Sequence, residues 1–350
     1  MTGPLDPVDA AGPVPPGVLA VHAHPDDETL STGTLLATWA AAGGRVTLVT
    51  CTRGERGEVI GHELAHLEGD GPALAAHRTG ELAAAAAALG VTDRAWLDEL
   101  PGPGAPSDDA TGRAAPTRQS RYEDSGMVWL APGRAGAAPD SGAAAFARAD
   151  VAVAAARLAG LIRAYRPGVV VTYEPGGGYG HPDHVQAHAV TMRAVELAAD
   201  PSVAVPGAPF GARVVLWAAL DAAQRTRGES EVREMAAVDP APGLTPAAVD
   251  RVAPSAAVPS DQVDLRVDVL PVLDRVVGAL RAHATQVQGV RVWPEQRRGA
   301  AVGRLALSDG VLQPLLRHEV YRVVRGPAAA VPWPAGVTVV GRGGASGRIA

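Results

Sequence analysis

Residues 18–44 read VLAVHAHPDDETLSTGTLLATWAAAGG. The apolar run Val18–His22 reads as a short strand, and it passes directly into the ionisable cluster His24-Pro25-Asp26-Asp27-Glu28. Thr29–Ala42 then has the composition of a helix, closed by Gly43-Gly44. Strand, polar loop and helix make the repeating unit of an α/β sheet, and such sheets place their chemistry just beyond strand carboxyl ends.

The unit recurs along the chain. Arg45–Cys51 (RVTLVTC) is a β-rich alternating run, followed by the loop TRGERGEVIG and an Ala-rich helix over Ala73–Leu89. Ala95–Leu97 reads as a third short strand. A second Ala-rich helix is expected over Ala143–Tyr165, with Pro139-Asp140-Ser141-Gly142 as its capped start. Gly168–Tyr173 (GVVVTY) is continuously apolar, the pattern of a strand buried on both faces. The loop EPGGGYGHPDH follows, then a helix over Val185–Ala198 and a strand over Arg213–Leu220. The expected fold is therefore α/β: a Rossmann-like, mostly parallel sheet with flanking helices, plus a smaller C-terminal α/β portion. Residues 221–262 read as a Pro- and Ala-rich connector, and Val263–Gln286 as a helix ending in HATQV.

Residues 1–16 are expected to be a disordered Pro-rich lead-in and 17–326 a single domain. Residues 101–141 form a long Gly/Pro/Ser/Asp-rich loop insert with an ordered island at RYEDSGM, and 327–350 a Gly/Pro-rich tail that frays.

Composition narrows the function. The 350 residues carry a net charge of −6, which argues against a nucleic-acid footprint. All 31 basic residues are arginine, so a Schiff-base lysine, a lysine general base and a phosphate-binding GK[ST] loop are excluded. The single cysteine, Cys51, allows neither an intrachain disulfide nor a cysteine-based zinc site, and it reads as a small buried hydrophobe. Lysine scarcity beside abundant Ala, Arg, Gly and Pro indicates a high-GC genome such as an actinomycete's. No basic-plus-apolar leader is present and no apolar run reaches roughly 18 residues, so a cytoplasmic protein without membrane association is expected. Oligomeric state is not readable from the chain.

The chemistry lies in two motifs, each after a strand. In His24-Pro25-Asp26-Asp27 a tight turn can aim His24 and Asp27 at one metal while Asp26 faces the attacking water. Tyr179-Gly180-His181-Pro182-Asp183-His184 repeats the logic, with histidines at i and i+3 around a rigid proline. Either motif alone is an ordinary polar turn. Together they supply two imidazoles and a carboxylate, a facial set that suits catalytic Zn²⁺, one per subunit, or Fe²⁺. Amide hydrolysis also needs a base, an oxyanion donor and a proton for the amine. Asp26 is the natural base. His181 is free to stabilise the oxyanion or protonate the amine, Asp183 can hold the His181 ring, and Tyr179 can donate to the oxyanion or simply anchor its loop. His22 is expected to pack against or support the site. His62, His66 and His77 lie in a polar, exposed stretch.

These residues carry a family resemblance. VHAHPDDETLS, VTCTRGERGEVIG, HRTGEL, RYEDSGM, VVVTYEPGGGYGHPDHVQAH and AHATQV, with a weaker echo in LLRHEVY, resemble the zinc-dependent PIG-L/LmbE-type N-acetylglucosaminyl deacetylases, and within them the mycothiol-pathway branch. The resemblance implies His24, Asp27 and His184 as zinc ligands, Asp26 as general base, His181 as transition-state support oriented by Asp183, and Tyr179 as a group that swings to the carbonyl. It implies contacts from Arg78, Asp124 and Glu58 to a small acetamido-sugar–inositol substrate. Sequence physics alone would make Arg78 a helix-surface charge paired with Glu81, and Asp124 a loop carboxylate. The amidase branch, which cleaves mycothiol S-conjugates, typically carries lysine where this chain has Ser31. Another acetamido-sugar deacetylase, and a non-catalytic metal-bearing sugar-binding module, are the remaining alternatives.

Overall fold

The computed structural model describes residues 15–102, 121–131, 133–249, 252–295 and 298–341. In chain order the elements are β1 (Val18–His22), α1 (Asp27–Ala41), β2 (Val46–Thr50), α2 (Gly71–Leu89), β3 (Asp93–Trp96), β4 (Met127–Ala131), β5 (Arg134–Ala137), α3 (Val151–Tyr165), β6 (Val169–Thr172), the single turn α4 (Gly177–Gly180), α5 (Pro182–Ala199), β7 (Val214–Asp221) and α6 (Ala222–Val238). They continue with β8 (Thr245–Pro246), β9 (Ala257–Val258), β10 (Leu265–Asp268), α7 (Leu273–Ala282), β11 (Gln288–Val292), β12 (Ala301–Ala306), β13 (Val311–Leu316), β14 (His318–Arg325) and β15 (Val337–Val339).

The main sheet has the order β15-β10-β14-β7-β6-β1-β2-β3, with β9 added beside β7. From β7 to β3 every pairing is parallel. Beyond β7, strands β14, β10 and β15 pair antiparallel. Strand β1 shows why the middle of the sheet is fully apolar. Val18 and Ala20 face one core with α1, α2 and α7, whereas Leu19 and Val21 face the other with α3 and α5. Strands β11, β12, β13 and β8 form a second sheet, and Val232 of α6 packs with Trp293, Ala301, Ala306 and Leu312 there. This is the α/β architecture expected. No helix among the described residues is long and apolar enough to cross a membrane.

Four local expectations are corrected. The helix expected from Ala143 begins at Val151, where Asp150 caps it by accepting from Ala152 N and Val153 N. The supposed cap at 139–142 is committed elsewhere: Asp140 pairs with Arg56 at 2.6 Å and Ser141 Oγ donates to Ser125 O. The expected connector 221–262 contains α6, whose buried strip is Gln224, Gly228 and Val232. The spacing is helical, but two of the three residues are not apolar, so hydrophobic periodicity hides it. The expected helix 263–286 starts with strand β10, where Leu265 and Val267 point inward in alternation, and becomes α7 only after Pro271. The expected tail contains β15, which pairs with β10. Residues 1–14 of the lead-in, 103–120 and 132 of the insert, and 342–350 of the tail lie outside the described residues; the described part of the insert includes the paired strands β4 and β5.

With no lysine in the chain, several arginines are buried as carbonyl clamps. Arg163 donates to the carbonyls of Ala198, Leu197, Asp200 and Val205, and Arg157 to that of Leu100. One guanidinium satisfies several loop acceptors at once, which an ammonium cannot do in a plane. Between β14 and α1, Glu319 accepts from Thr34 N at 2.6 Å and Leu35 N at 2.9 Å, and Tyr321 Oη donates to it at 2.7 Å.

Asp221 at the end of β7 caps α6 through Ala223 N and Gln224 N, accepts from Ser260 Oγ, and pairs with Arg266 at 2.7 Å. Burial would raise its pKa, but Ser260, Arg266 and the amide of Gln224 hold it below the ordinary value. Asp221→Ala should lower stability by about 1–2 kcal/mol, the usual cost of a lost N-cap. A carboxyl lowered in the folded state stabilises above its unfolded pKa and loses that contribution as pH falls through the folded one. The gap between wild type and variant in urea denaturation should therefore be wide at neutral pH and narrow in acid.

Candidate active site

Strands β1 and β6 are neighbours, and the chain leaves them in opposite directions across the sheet, to β2 and β3 from one and to β7 from the other. That is a topological switch point, where the connections diverge and leave a crevice at the carboxyl ends. Both ionisable motifs fall in it.

The first motif turns sharply. Asp26 has φ +113°, in the region that non-glycine residues rarely occupy. Its carbonyl accepts from Thr29 N and Leu30 N and so starts α1. The turn brings the Asp27 carboxylate back over His24: Oδ2 accepts from His24 N at 2.9 Å and lies 3.2 Å from His24 Nδ1. In the second motif His181 caps α5 and Pro182 occupies its first turn. Gly177, at φ +66°, packs so closely on α5 that a Cβ would lie 2.8 Å from Val185 N. Its carbonyl sits 3.1 Å from His184 Nδ1.

The proton positions then follow from the partners. His24 Nε2 faces Asp183 Oδ2 at 3.1 Å and Asp124 Oδ1 at 3.7 Å, so a neutral His24 carries its proton there and its lone pair on Nδ1. His184 donates from Nδ1 to Gly177 O, which leaves its lone pair on Nε2. That nitrogen is buried and makes no hydrogen bond, although Asp27 Oδ2 lies only 3.3 Å away. Asp27 Oδ2 thus lies against one nitrogen of each of two imidazoles, and a cation held by these groups would relieve the repulsion among their lone pairs. A metal ion fits this donor set. His24, His181 and His184 also offer ligand atoms within 4.8 Å of one another, as do His24, Asp124, His181 and Asp183. Without a metal the charge balance falls on protons. Burial opposes a charge on His24, but Asp124, Asp183 and Asp27 outweigh it and hold its pKa well above the ordinary imidazole value.

The surrounding groups are arranged in layers. Asp183, fully buried, accepts from Ser125 N and Ser125 Oγ as well as facing His24. The expected pairing of its carboxylate with His181 is replaced by this one, and it is the Asp183 amide that donates to His181 Nδ1, at 3.2 Å. His181 is held well below its ordinary pKa by burial and by His24 and His184, so its neutral ring keeps its proton on Nε2. Burial raises the Asp26 carboxyl to about 6 against the pull of Arg78, whose Nη2 lies 3.5 Å away. Arg78 is buried rather than on a helix surface, and its guanidinium donates to Gly54 O and Pro25 O. Glu81 instead receives Thr285 N at 2.8 Å and Thr285 Oγ1 at 2.6 Å. Asp124 is buried and accepts from Arg56 N and Gly126 N. Tyr179 is half-buried, with its ring 5.2 Å from that of His184, and burial holds its hydroxyl protonated. Glu58 is exposed on its loop, outside this cluster. His22 bonds Thr32 Oγ1 at 2.9 Å; His62, His66 and His77 are exposed; Cys51 is buried.

Sequence reasoning gave no role to Ser125, Tyr173, Glu28 or His283. Tyr173 ends the apolar β6 run, stacks on His184 at 4.3 Å and accepts from Ala23 N. Glu28 receives Thr29 Oγ1 and Asp26 N and pairs with His283 at 2.7 Å, both side chains fully buried. The signal was present in the last letter of HPDDE and the first His of HATQV, 255 residues apart.

A buried His/Asp cluster that could hold a metal ion lies at the switch point of an α/β sheet, where such folds place their sites. Residues 19–195 match the PIG-L family model, described as GlcNAc-PI de-N-acetylase. The chain belongs to this deacetylase family. It is 45% identical over 330 residues to the 1D-myo-inositol 2-acetamido-2-deoxy-alpha-D-glucopyranoside deacetylase of Kineococcus radiotolerans, covering 93% of this chain and 82% of the relative. It is also 45% identical over 311 residues to the protein of the same name from Thermobifida fusca, covering 89% and 93% respectively. Among solved structures, N,N'-diacetylchitobiose deacetylase from Pyrococcus horikoshii is similar, with TM-score 0.49, 16% identity, and coverage of 89% of this chain and 84% of that one.

Burial would raise the Glu28 pKa, but His283 and the bonds to Thr29 and Asp26 hold it below the ordinary value; His283 is raised in return. Removing one partner of such a pair leaves a buried charge uncompensated. His283→Ala should cost about 3–5 kcal/mol in urea unfolding, and the double variant with Glu28→Gln should recover part of it.

Proposed function

We propose that the chain is a metal-dependent N-deacetylase that hydrolyses the acetamide of 1D-myo-inositol 2-acetamido-2-deoxy-α-D-glucopyranoside to the free amine and acetate, as a step of mycothiol biosynthesis. The observation that carries the reading is the meeting of the His24, Asp27 and His184 donor atoms beside a carboxyl, Asp26, that is not needed to bind the ion. The relatives' names supply the substrate.

His24, Asp27 and His184 would hold the ion, read as one Zn²⁺ per subunit, with Fe²⁺ suited to the same donors. When bound, the metal supplies Lewis acidity toward the amide and lowers the pKa of water. Asp26 takes the proton of the attacking water. The Asp26 carboxyl then returns that proton to the leaving nitrogen, so the amine departs neutral and the acyl carbon keeps the water's OH as acetic acid, which ionises to acetate by passing its remaining proton to the released amine or to solvent. Neutral His181, through Nε2–H, and the protonated Tyr179 hydroxyl are donors for the oxyanion. Asp183 and Ser125 fix the His24 ring, as carboxylates do behind metal-bound imidazoles. Arg78 shapes the turn behind Asp26 and, with Asp124 and the exposed Glu58, is the proposed contact to sugar and inositol hydroxyls.

Release of the free glucosaminyl amine should be measured side by side from the inosityl acetamido sugar, a mycothiol S-conjugate and N-acetylglucosamine. The first should give the highest kcat/KM; preference for the conjugate would make the chain an amidase, and no free amine from any of the three would reject the activity. Asp26→Ala should retain the metal and lose about 10²–10⁴ in kcat. Tyr179→Phe should lower kcat with little change in KM. Asp183→Asn should weaken metal affinity about tenfold in a chelator competition.

A further inference from the structure

Trp129 is the one exposed tryptophan of the six in the chain, 59% accessible in the middle of β4 in the β4–β5 hairpin, between Val128 and Leu130, themselves exposed. The hairpin cannot cover it. Its cross-strand partner is Ala135, and the flanking pairs place Gly136 opposite Val128 and Ala137 opposite Met127. No large side chain faces the indole from the other strand.

The hairpin is nonetheless seated firmly on the catalytic loop. Ala135 is buried, and a Cβ at Gly180 would lie 2.8 Å from its carbonyl oxygen. Backbone thus meets backbone beside Tyr179, and Gly180 at φ +93° is the residue that permits it. The result is a short series of rings. The His184 and Tyr179 centroids are 5.2 Å apart, and those of Tyr179 and Trp129 are 5.9 Å apart with planes inclined by 34°. The series begins at a proposed metal ligand and ends in solvent.

We infer that Trp129 is a stacking platform for the second ring of the substrate, the cyclitol or sugar joined to the acetamido-bearing one. The inference rests on the deacetylase reading for the placement of the acetamide at the His24–Asp27–His184 centre. With the acetamide there, the ring that bears it lies beside Tyr179, and only the ring attached beyond it reaches Trp129. A cyclitol or pyranose presents a face of C–H groups, slightly positive, to the negative face of an indole, and the exposed indole loses little freedom on binding. Trp129 therefore acts on specificity, through ground-state binding of substrates long enough to reach it, and not on the acetamide.

The test compares wild type, Trp129→Ala and Trp129→Phe on the inosityl acetamido sugar and on N-acetylglucosamine. Calorimetric titrations are run alongside with the corresponding amines, glucosaminyl inositol and glucosamine. Trp129→Ala should raise KM for the two-ring substrate about five- to tenfold with kcat within about twofold, and leave N-acetylglucosamine unchanged. Trp129→Phe, which keeps a ring, should recover most of the loss. The two-ring amine should weaken by the same factor in calorimetry and the single-ring amine should not. Equal losses on both ligands, or no loss on either, would overturn the platform. If wild type releases no acetate, the deacetylase reading falls. The titrations still decide the platform, because equal Kd values for glucosaminyl inositol in wild type and Trp129→Ala remove it.

Discussion

One oxygen organises the catalytic end of the sheet. Asp27 Oδ2 accepts the His24 amide and lies 3.2–3.3 Å from one ring nitrogen of each of two histidines. In the neutral rings both nitrogens present lone pairs, because the opposite nitrogens are committed to Asp183 and to the Gly177 carbonyl. Groups behind the rings thus leave donors that would suit a cation. Ser125, which holds Asp183, and Gly177, which admits its own carbonyl to His184, act on the centre without touching it. The strained turn at Asp26 and the close approach at Gly177 follow from the same need to point several donors at one place.

The fold explains why those donors can meet. Two strands that are adjacent in space but lie about 150 residues apart in the chain, β1 and β6, open their loops into one crevice, and the helices that follow them, α1 and α5, pack on opposite faces. The antiparallel strands beyond β7 add a second connection. Glu319 on β14 binds amides in the middle of α1, so the helix carrying the first motif is held from the far half of the sheet as well as from its own strand.

What the sequence made legible was whatever is local. The runs Val18–His22 and Gly168–Tyr173 are apolar enough to mark central strands, and His24, Asp27 and His184 stand in two motifs that the fold brings together. The misses share a physical cause. Helix α6 hides because Gln224 and Gly228 occupy two of its three buried positions, and β10 hides because its alternation is embedded in a longer apolar stretch. Within the site, the partner of His24 lies 159 residues away, so Asp183 was assigned to its near neighbour His181. Arg78 was readable as a surface charge only because nothing in its own helix shows the carbonyls of Gly54 and Pro25 that it reaches.

The arginine clamps carry a practical consequence. Arg163, Arg157 and Arg78 hold loops by planar forks, and the fold manages its buried positive charge without a single side-chain amine. A fluorogenic reagent that labels primary amines would leave these guanidinium groups untouched. Deacetylation of an acetamido sugar creates just such an amine. The scaffold is therefore nearly dark to the reagent that lights up the proposed product, and turnover could be followed continuously against almost no signal from the protein itself.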